Sequence, residues 1–410
     1  MTRPRPGAGF ATALAAITLI GPLSIHLFLP AMPAVKAHFA ASDALVQATF
    51  SVTLIAMAIV TPAYGSLSDK YGRRPVLLIG LCLFLIGSLV SALAGSIPVL
   101  ILGRLIQATG AGCGITLSRA IARDAYGPTA LVKAIAYLTM AYTIGPMMAP
   151  AMGGLLIDHL GWRSEFVFAL LAGTAITLGA FFVVRETRTL PERRATTGLL
   201  RHYGVLLCDR RFIAFALQSG LMSFQFFAIA AASPFLMKDL LGRDATEFGL
   251  YFLCFPLGFC AGNAISSRLS GKVALETMVL AGSVLCAAAV VGQDAFILSG
   301  HVSPLILFLP GGVMSFAQGL SLPNAQAGAM RVQPELAGTA AGLGVFIQNL
   351  LSALGAQVYG ILADGTPLPM IAIATLGTVL TLACAGTLIA GRKPREPLPL
   401  APRAAEAEET

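Results

Sequence analysis

Long apolar stretches, separated by short polar segments, run through almost the whole of this 410-residue sequence. A helix needs about 20 apolar residues to cross the hydrocarbon core of a bilayer. An outer-membrane barrel would instead show alternating segments of about ten residues. Because the apolar stretches are long and unbroken, they predict membrane-spanning helices.

The pattern predicts twelve spans, which we number in chain order. They cover residues 10–30, 45–67, 75–95, 98–121, 131–157, 164–184, 212–237, 247–267, 273–292, 302–329, 337–362 and 367–390. The predicted fold is an all-α membrane protein with twelve transmembrane helices in two six-helix bundles. Its predicted parts are a first bundle (1–184), a solvated cytoplasmic linker (185–211), a second bundle (212–390) and a tail (391–410). The tail is rich in Pro, Ala and Glu, which predicts disorder.

Composition supports a chain that lies mostly in lipid, because 56% of it is hydrophobic and only 11% is charged. A soluble domain has about a quarter of its residues charged. The seven cysteines lack CxxC spacing and are interpreted as apolar packing residues. The first apolar stretch is interpreted as span 1, since it is too long for a signal peptide and lacks a small-residue cleavage site.

The distribution of Lys and Arg predicts the orientation of the spans. If both termini are cytoplasmic, the outer segments hold only Lys36, Arg163, Lys238 and Arg243, while one arginine, Arg104, lies inside span 4. Nearly all the others then fall in inner segments, as expected for cytoplasmic loops. The net charge of +8 therefore indicates membrane orientation and not a nucleic-acid site.

A charged patch, GSLSDKYGRRPV, lies between spans 2 and 3 at Gly65–Val76. Such a patch does not lie in hydrocarbon, so we expect a tight loop at the membrane face. With the charged inner end of span 4, it is predicted to form a cytoplasmic gate. The predicted gate residues are Gly65, Asp69, Gly72, Arg73, Arg74, Arg119, Arg123 and Asp124. The alternative for the span 4 cluster is simple anchoring by positive charge.

Asp69 gives this gate a hypothetical mechanism. At the inner end of span 2 it can bond helix N-terminal amides and pair with Arg73 or Arg123. Such pairs would hold the cytoplasmic halves together in the outward-facing state and break in the inward-facing state.

Arg104 lies about a turn and a half inside span 4, where a charge is costly unless it is paired or hydrated. Gln107, three residues later, shares its helix face. We therefore interpret Arg104 and Gln107 as candidates for an intramembrane functional site. The alternative is an arginine that snorkels to the membrane surface.

Span 5 contains two prolines four residues apart, Pro146 and Pro150, within the sequence AYTIGPMMAPAMGGLL. Prolines kink a helix and free backbone carbonyls. Gly145, Gly153 and Gly154 allow a neighbouring helix to approach closely. This combination predicts a helix shaped for a moving interface.

These motifs resemble those of the major facilitator superfamily. The 65–76 loop is similar to the superfamily's loop between helices 2 and 3, Arg104–Gln107–Gly110 resembles the helix 4 signature of its drug antiporters, and Gly145–Gly154 resembles their G-P-x-x-G-G signature. More narrowly, the chain resembles the Bcr/CflA group of bicyclomycin and chloramphenicol efflux pumps. The supporting segments are LFLPAMPAV, RAIARDAYG, GWRSEFVFAL, ASPFLM, LPNAQAGAM and AGTAAGLGVFIQNLLSALG.

The resemblance implies a secondary transporter that exports drugs in exchange for protons by alternating access. It also implies a multi-pass protein of the bacterial inner membrane with both termini cytoplasmic. We expect small lipophilic substrates and the lipid bilayer as partners, no nucleic acid, and a monomer.

One departure concerns span 1, where the group usually reads S-T-D-M-Y-L-P and this chain reads SIHLFLP at Ser24–Pro30. His26 thus stands where the group has an acid. We assign all 19 acidic residues, including Glu165, to polar segments outside the hydrocarbon. Histidine titrates near neutral pH, which makes His26 the candidate proton site. Alternatively, it is a polar cavity residue that binds substrate without titrating.

We expect the substrate cavity at the midplane between the bundles. The candidate cavity residues are Phe28, Tyr142, Met147, Phe224, Gln225, Phe227, Asn324, Gln348 and Asn349. Apolar walls with few polar groups suit lipophilic ligands, and the lack of an acidic wall residue favours neutral or zwitterionic compounds. The alternative for each aromatic residue is lipid contact or helix packing.

The energy source follows by elimination. The sequence has no G-x-x-x-x-G-K-[ST] phosphate loop, so we expect a proton gradient and neither ATP nor another cofactor. It shows no metal-ligand cluster and no nucleophile–base pair, so we do not expect an enzyme. The alternatives are a metabolite exporter or uptake symporter of the same fold, and, from another class, a non-transporting membrane receptor or channel.

Overall fold

The computed structural model describes residues 8–126, 128–188 and 199–391. Within these residues the regular structure is entirely helical, and twelve segments are long and apolar enough to cross a membrane. The predicted fold class is therefore confirmed. The predicted tail lies outside the described residues from residue 392 onwards, as do linker residues 189–198. The predicted domain boundaries stay a prediction.

Several spans consist of two helices. The helices are α1 (Ala8–His26) and α2 (Met32–Phe39) in span 1, α3 (Asp43–Tyr71) in span 2, α4 (Arg73–Ala92) in span 3, α5 (Ile97–Ala111) and α6 (Cys113–Ala125) in span 4, α7 (Pro128–Leu160) in span 5, α8 (Ser164–Val183) in span 6, α9 (Leu199–Cys208) before span 7, α10 (Arg210–Phe235) in span 7, α11 (Ala245–Phe252) and α12 (Cys254–Leu269) in span 8, α13 (Leu275–Leu298) in span 9, α14 (Pro304–Val332) in span 10, α15 (Ala337–Leu362) in span 11 and α16 (Leu368–Ala390) in span 12.

Span 1 is longer than predicted. The expected end at residue 30 is wrong, because a 3₁₀ turn at Leu29–Ala31 leads into α2. Pro30 and Pro33 begin these two short helices, where a missing backbone N–H breaks no helical bond. The interruption places His26 at the last position of α1.

The predicted linker also contains structure, since α9 lies within residues 185–211. Its Leu206 side chain is buried in a cluster with Phe212 and Phe215 of span 7. The linker is thus partly packed on the second half, and the expectation of a wholly solvated segment is wrong here.

The helix termini and connections lie at two opposite ends of the molecule, which we call the basic end and the sealed end. The basic end contains residues 8, 72, 126, 184–188, 270–274, 333 and 391. The sealed end carries the connections 40–42, 93–96, 161–163, 241–244, 299–303 and 363–367. Spans 1–6 form the first half and spans 7–12 the second half.

Near the sealed end, span 2 is bonded to spans 7 and 11. The Gln47 side chain donates to the carbonyl of Ala231 over 3.1 Å. In the other direction, Gln357 donates to the carbonyl of Ala44, also over 3.1 Å. These side chain–backbone bonds hold the two halves together at that end.

Spans 5 and 8 form a second joint at the same end. Asp158 accepts bonds from the amides of Ala245 and Thr246, over 3.2 and 2.7 Å, at the start of α11. A carboxylate is favourable at a helix N-terminus, where amides lack partners. Gly154 lies directly on the carbonyl of Ala245, and a side chain there would collide with it.

The bonds between the halves described above, and the ion pair of Lys36 with Asp239, all lie near the sealed end. Near the basic end, Gly338, Gly342 and Gly344 of α15 and Gly65 of α3 have open space where a side chain would project. We therefore describe the molecule as joined between its halves at the sealed end and open at the basic end. This is one of the two states that alternating access requires.

Candidate functional site

Arg104 is held inside the first half by polar groups from three spans. Its guanidinium donates to Gln107 Oε1 over 2.7 Å, to the Ser24 carbonyl over 2.8 Å and, more weakly, to the Thr49 carbonyl over 3.4 Å. The side chain is 1% exposed. It therefore ties span 4 to spans 1 and 2, and the alternative of a snorkelling arginine is wrong.

Aromatic rings and a second amide complete this site. The Phe28 ring lies 4.5 Å from the guanidinium carbon and the Phe166 ring 5.9 Å from it, distances at which cation–π attraction acts. Gln107 in turn donates to Ser88 of span 3 over 2.9 Å. Phe28, predicted to line the cavity, is thus packed on Arg104 and buried in this state.

Glu165 belongs to the same site, which the sequence did not indicate. It lies in the first turn of α8 and is 1% exposed, and the next residue, Phe166, packs on Phe28 and lies 5.9 Å from the Arg104 guanidinium carbon. The expectation that every carboxylate lies in a polar end segment is wrong for this residue. Its position next to a polar connection concealed it, because only helix packing decides which side of the first turn faces inward.

His26 lies at the contact between the halves. Its ring centroid is 6.5 Å from that of Phe227 in span 7 and 6.3 Å from that of Phe252 in span 8. Its Nδ1 has no hydrogen-bond partner among the described residues. The side chain is therefore surrounded by second-half aromatics.

The glycines and prolines of span 5 pack against both span 1 and span 8. Gly145 lies against Pro22, and Gly153 lies against the Leu27 carbonyl of span 1. Pro150, next to Gly249 of span 8, faces the second half together with Gly154, while Pro146 is half-buried. Span 5 thus joins span 1 to span 8, so any movement between the halves acts on it.

At the basic end, the predicted gate charges meet within the first half. Arg73 bonds Asp124 over 2.8 Å and Asp69 over 2.6 Å. The connecting residue Gly72 has φ of 101°, a conformation that glycine adopts at little cost. The pairs link spans 2, 3 and 4 in a state that is open at this end. The hypothesis that Asp69 pairs break in this state therefore does not hold for Asp69 and Arg73.

Glu186, which sequence reasoning missed, supplies the carboxylate that caps α4. It accepts the backbone amides of Arg73 and Arg74 over 3.0 and 3.1 Å. Partial burial alone would raise the pKa of Glu186. The hydrogen bonds it accepts from the backbone amides of Arg188, Arg73, Arg74 and Thr187 outweigh that effect, so its pKa lies below the usual range.

The remaining gate residues are more dispersed. Arg74 also donates to the Phe181 carbonyl over 2.9 Å. The side chains of Arg119 and Arg123 are exposed, and Gly65 faces open space. The predicted gate residues at the basic end thus form a group of ion pairs and hydrogen bonds around Arg73, and exposed arginines lie beside that group.

The second half has a neutral polar interior. Ser223 of span 7 accepts bonds from Gln318 of span 10 over 3.1 Å and from Gln348 of span 11 over 3.0 Å. Gln348 also accepts a bond from Gln326 over 3.2 Å. Of these, only Gln348 was a predicted cavity residue, although glutamines within apolar spans are a signal that sequence reasoning could have used.

The other predicted cavity residues are divided between helix packing and partly open positions. Gln225 bonds Thr378 and Cys286, and Asn324 bonds Ser266 and the Leu320 carbonyl, so both amides are engaged inside the second half. Phe224 is buried against Gly355 and Gly377. The half-buried positions are Tyr142, Met147, Phe227, Gln348 and Asn349.

Comparison with known proteins extends over almost the whole chain. Residues 14–356 match the Major Facilitator Superfamily. The chain is 29% identical to the uncharacterized MFS-type transporter YdgK of Bacillus subtilis (strain 168), over 90% of this chain and 92% of that protein. It is also 29% identical to Multidrug resistance protein D of Escherichia coli (strain K12), over 90% of this chain and 91% of that one.

Solved structures share the fold. A D-xylose–proton symporter superposes with a TM-score of 0.73 at 15% identity, covering 91% of this chain and 96% of that chain. A POT family transporter in complex with 5-aminolevulinic acid gives a TM-score of 0.75 at 11% identity, covering 94% and 97%.

The twelve apolar spans, the joint at one end and the match over residues 14–356 agree on one conclusion. The chain is a multi-pass membrane transporter that belongs to the Major Facilitator Superfamily.

Proposed function

We propose that this protein is a drug exporter of the Bcr/CflA group, which carries small lipophilic compounds out of the cell in exchange for protons. The observation that carries the proposal is the similarity, over nine-tenths of both chains, to Multidrug resistance protein D. The molecule, joined at one end and open at the other, is compatible with alternating access. The neutral amide groups of the second half favour neutral or zwitterionic substrates over dications.

The proposed location is the bacterial inner membrane, with the basic end and both termini cytoplasmic. The argument is the excess of Lys and Arg at the basic end, because cytoplasmic loops retain positive charge. In that orientation the described state is open to the cytoplasm, where an exporter receives its substrate. The charged group around Arg73 then lies at the cytoplasmic surface.

The proposed driving force is the proton gradient, without ATP or another cofactor. The carrier acts as a monomer in the bilayer and has no nucleic-acid partner in this proposal. The support for a proton gradient in place of ATP is that the sequence has no G-x-x-x-x-G-K-[ST] phosphate loop.

Everted membrane vesicles provide the test. In a host deleted for its own pumps, respiration acidifies the vesicle lumen, and a substrate entering by antiport releases part of the pH gradient. We expect such release with a panel of neutral and zwitterionic drugs, together with raised resistance in whole cells. Vesicles carrying Arg104→Gln serve as the control, because that variant lacks the buried guanidinium.

Three results would contradict the proposal. The first is that wild type neither protects cells nor releases the gradient with any compound of the panel. The second is gradient-driven accumulation of a substrate in whole cells, which would favour an uptake symporter. The third is gradient release only by ordinary metabolites, which would favour a metabolite exporter.

A further inference from the structure

Glu165 is a buried carboxylate without a hydrogen-bond donor. Neither of its side-chain oxygens has a partner among the described residues. A carboxylate in such a place is strongly disfavoured unless it is neutralised by a proton or paired with a cation. Its surroundings therefore favour two states, a neutral acid and an ion pair.

Arg104 is the cation available for the second state. Among the described residues, Arg104 and Glu165 are the buried members of the Asp, Glu, Lys and Arg side chains. Phe166, the residue after Glu165, already lies 5.9 Å from the guanidinium carbon. No bond joins the carboxylate to Arg104 in this state, and the guanidinium donates to Ser24, Gln107 and Thr49.

Three other charged or titratable groups on the elements around Glu165 have surroundings of their own. Arg163 donates to the Ala94 carbonyl and lies beside His38. Asp158 of span 5 is bonded to the α11 amides. His26 of span 1 lies among Phe227 and Phe252, and span 3 contributes the neutral Ser88 through Gln107.

We propose that Glu165 is the group that binds and releases the transported proton, in place of the membrane acid that span 1 lacks. This inference rests on the proposed proton antiport and adds the residue that carries out the coupling. In the described state Glu165 is the neutral acid, and Arg104 holds the Ser24 and Thr49 carbonyls.

Release of the proton changes the partners of Arg104. Glu165 gives its proton to water, and the carboxylate formed draws the guanidinium away from the two carbonyls. Thr49 is two residues from Gln47, which forms the joint with Ala231, and Ser24 is two residues from His26. The protonation state therefore acts on the segments of spans 1 and 2 that touch the second half.

The test compares Glu165→Gln, a neutral side chain of the same shape, with wild type in proteoliposomes. We expect Glu165→Gln to lose gradient-driven transport and the proton release that accompanies substrate binding in detergent. Exchange of labelled for unlabelled substrate at equal pH should persist, because it requires no net proton transfer. The matched control is Glu335→Gln, which makes the same change at an exposed position and should behave as wild type.

The outcomes separate this inference from the proposed function. If wild type shows no proton release with any substrate, the antiport proposal fails. If wild type releases protons and Glu165→Gln does so equally, Glu165 is not the proton site although the antiport holds. A loss of exchange as well as coupling in a folded Glu165→Gln protein would assign the residue to substrate binding and also overturn the inference.

A measurement on wild type decides the case if Glu165→Gln does not fold. Dicyclohexylcarbodiimide adds to protonated carboxyl groups in apolar surroundings, and mass spectrometry locates the adduct. We expect modification of Glu165 that slows as the pH rises and as substrate is added. Absence of the adduct in both acidic and alkaline buffer would overturn the proposal.

Discussion

The two halves of this transporter solve the problem of polar groups inside a membrane in different ways. The first half buries two ionisable side chains, Arg104 and Glu165. The second half buries neutral groups that bond one another, with Ser223 accepting from Gln318 and Gln348. Buried amides satisfy themselves with hydrogen bonds, whereas buried charges require a partner or a proton.

This difference gives the two halves different roles in the proposed transport. A charged interior responds to protonation, since one proton changes which groups Arg104 binds. The amide and hydroxyl groups of the second half stay uncharged over a wide pH range and can offer hydrogen bonds to an uncharged ligand. The following predictions test this comparison, from the largest expected effect to the smallest.

Replacing Arg104 tests the charged half most severely. In Arg104→Gln, the guanidinium bonds to the Ser24 and Thr49 carbonyls are lost, and each hydrogen bond to a charged group contributes about 1.5–3 kcal/mol. We expect a lower unfolding temperature and no gradient-driven transport. The double variant Arg104→Gln/Glu165→Gln should be about as stable as Arg104→Gln, because Glu165 is already uncharged in the described state, and it should not transport. Unfolding temperatures of detergent-purified protein equal to wild type for the single variant would refute the comparison.

The joint between the halves is tested by Gly154→Leu. The new side chain meets the carbonyl of Ala245, and overpacking of this kind costs roughly 1–3 kcal/mol. We expect the sealed state to lose population by about 5- to 150-fold. Spin labels on the exposed positions His159 and Arg243 should then report longer distances. Gly344→Leu, which fills open space, is the control and should leave those distances unchanged.

The neutral half is tested by Gln318→Leu. This change removes one hydrogen bond to Ser223, and we expect a loss of about 1 kcal/mol in stability. Apparent substrate affinity should change while the pH profile of transport keeps its shape. A shifted pH profile, measured in the same proteoliposomes, would mean that the second half also takes part in proton coupling.

Replacing Glu186 at the basic end should change stability least. Because its pKa is lowered in the folded protein, its contribution to stability is present above the usual glutamate pKa. That contribution is lost as the pH falls through the lowered value. Glu186→Gln should lower stability by about 0.5 kcal/mol at neutral pH and by less in acid. Unfolding temperatures measured across this pH range check the sign, and an equal loss at every pH would contradict it.

Much of the fold followed from the sequence. The bounds of span 11, predicted as 337–362, coincide with α15, because a long apolar stretch between polar segments has one low-energy form in lipid. The break after His26 did not follow, since Leu29–Ala31 is as apolar as the helix around it. The helix in the linker was also missed, because its contact with Phe212 is tertiary.

The candidate site was predicted in part. Spacing placed Gln107 beside Arg104, because residues three apart share a helix face. Spacing did not identify Ser24, Thr49 or Phe28 as the other groups around the guanidinium, since they lie on spans 1 and 2.

The sequence by itself determined that this protein crosses the membrane twelve times and that Arg104 needs a partner inside it. These conclusions depend on local properties, the length of apolar stretches and the cost of a charge in hydrocarbon. Only the tertiary structure decided that Arg104 bonds the carbonyls of Ser24 and Thr49 as well as Gln107, and that the halves meet at one end. Which side of a helix faces a neighbour depends on how all the spans pack together, and a pattern along one chain does not contain that information.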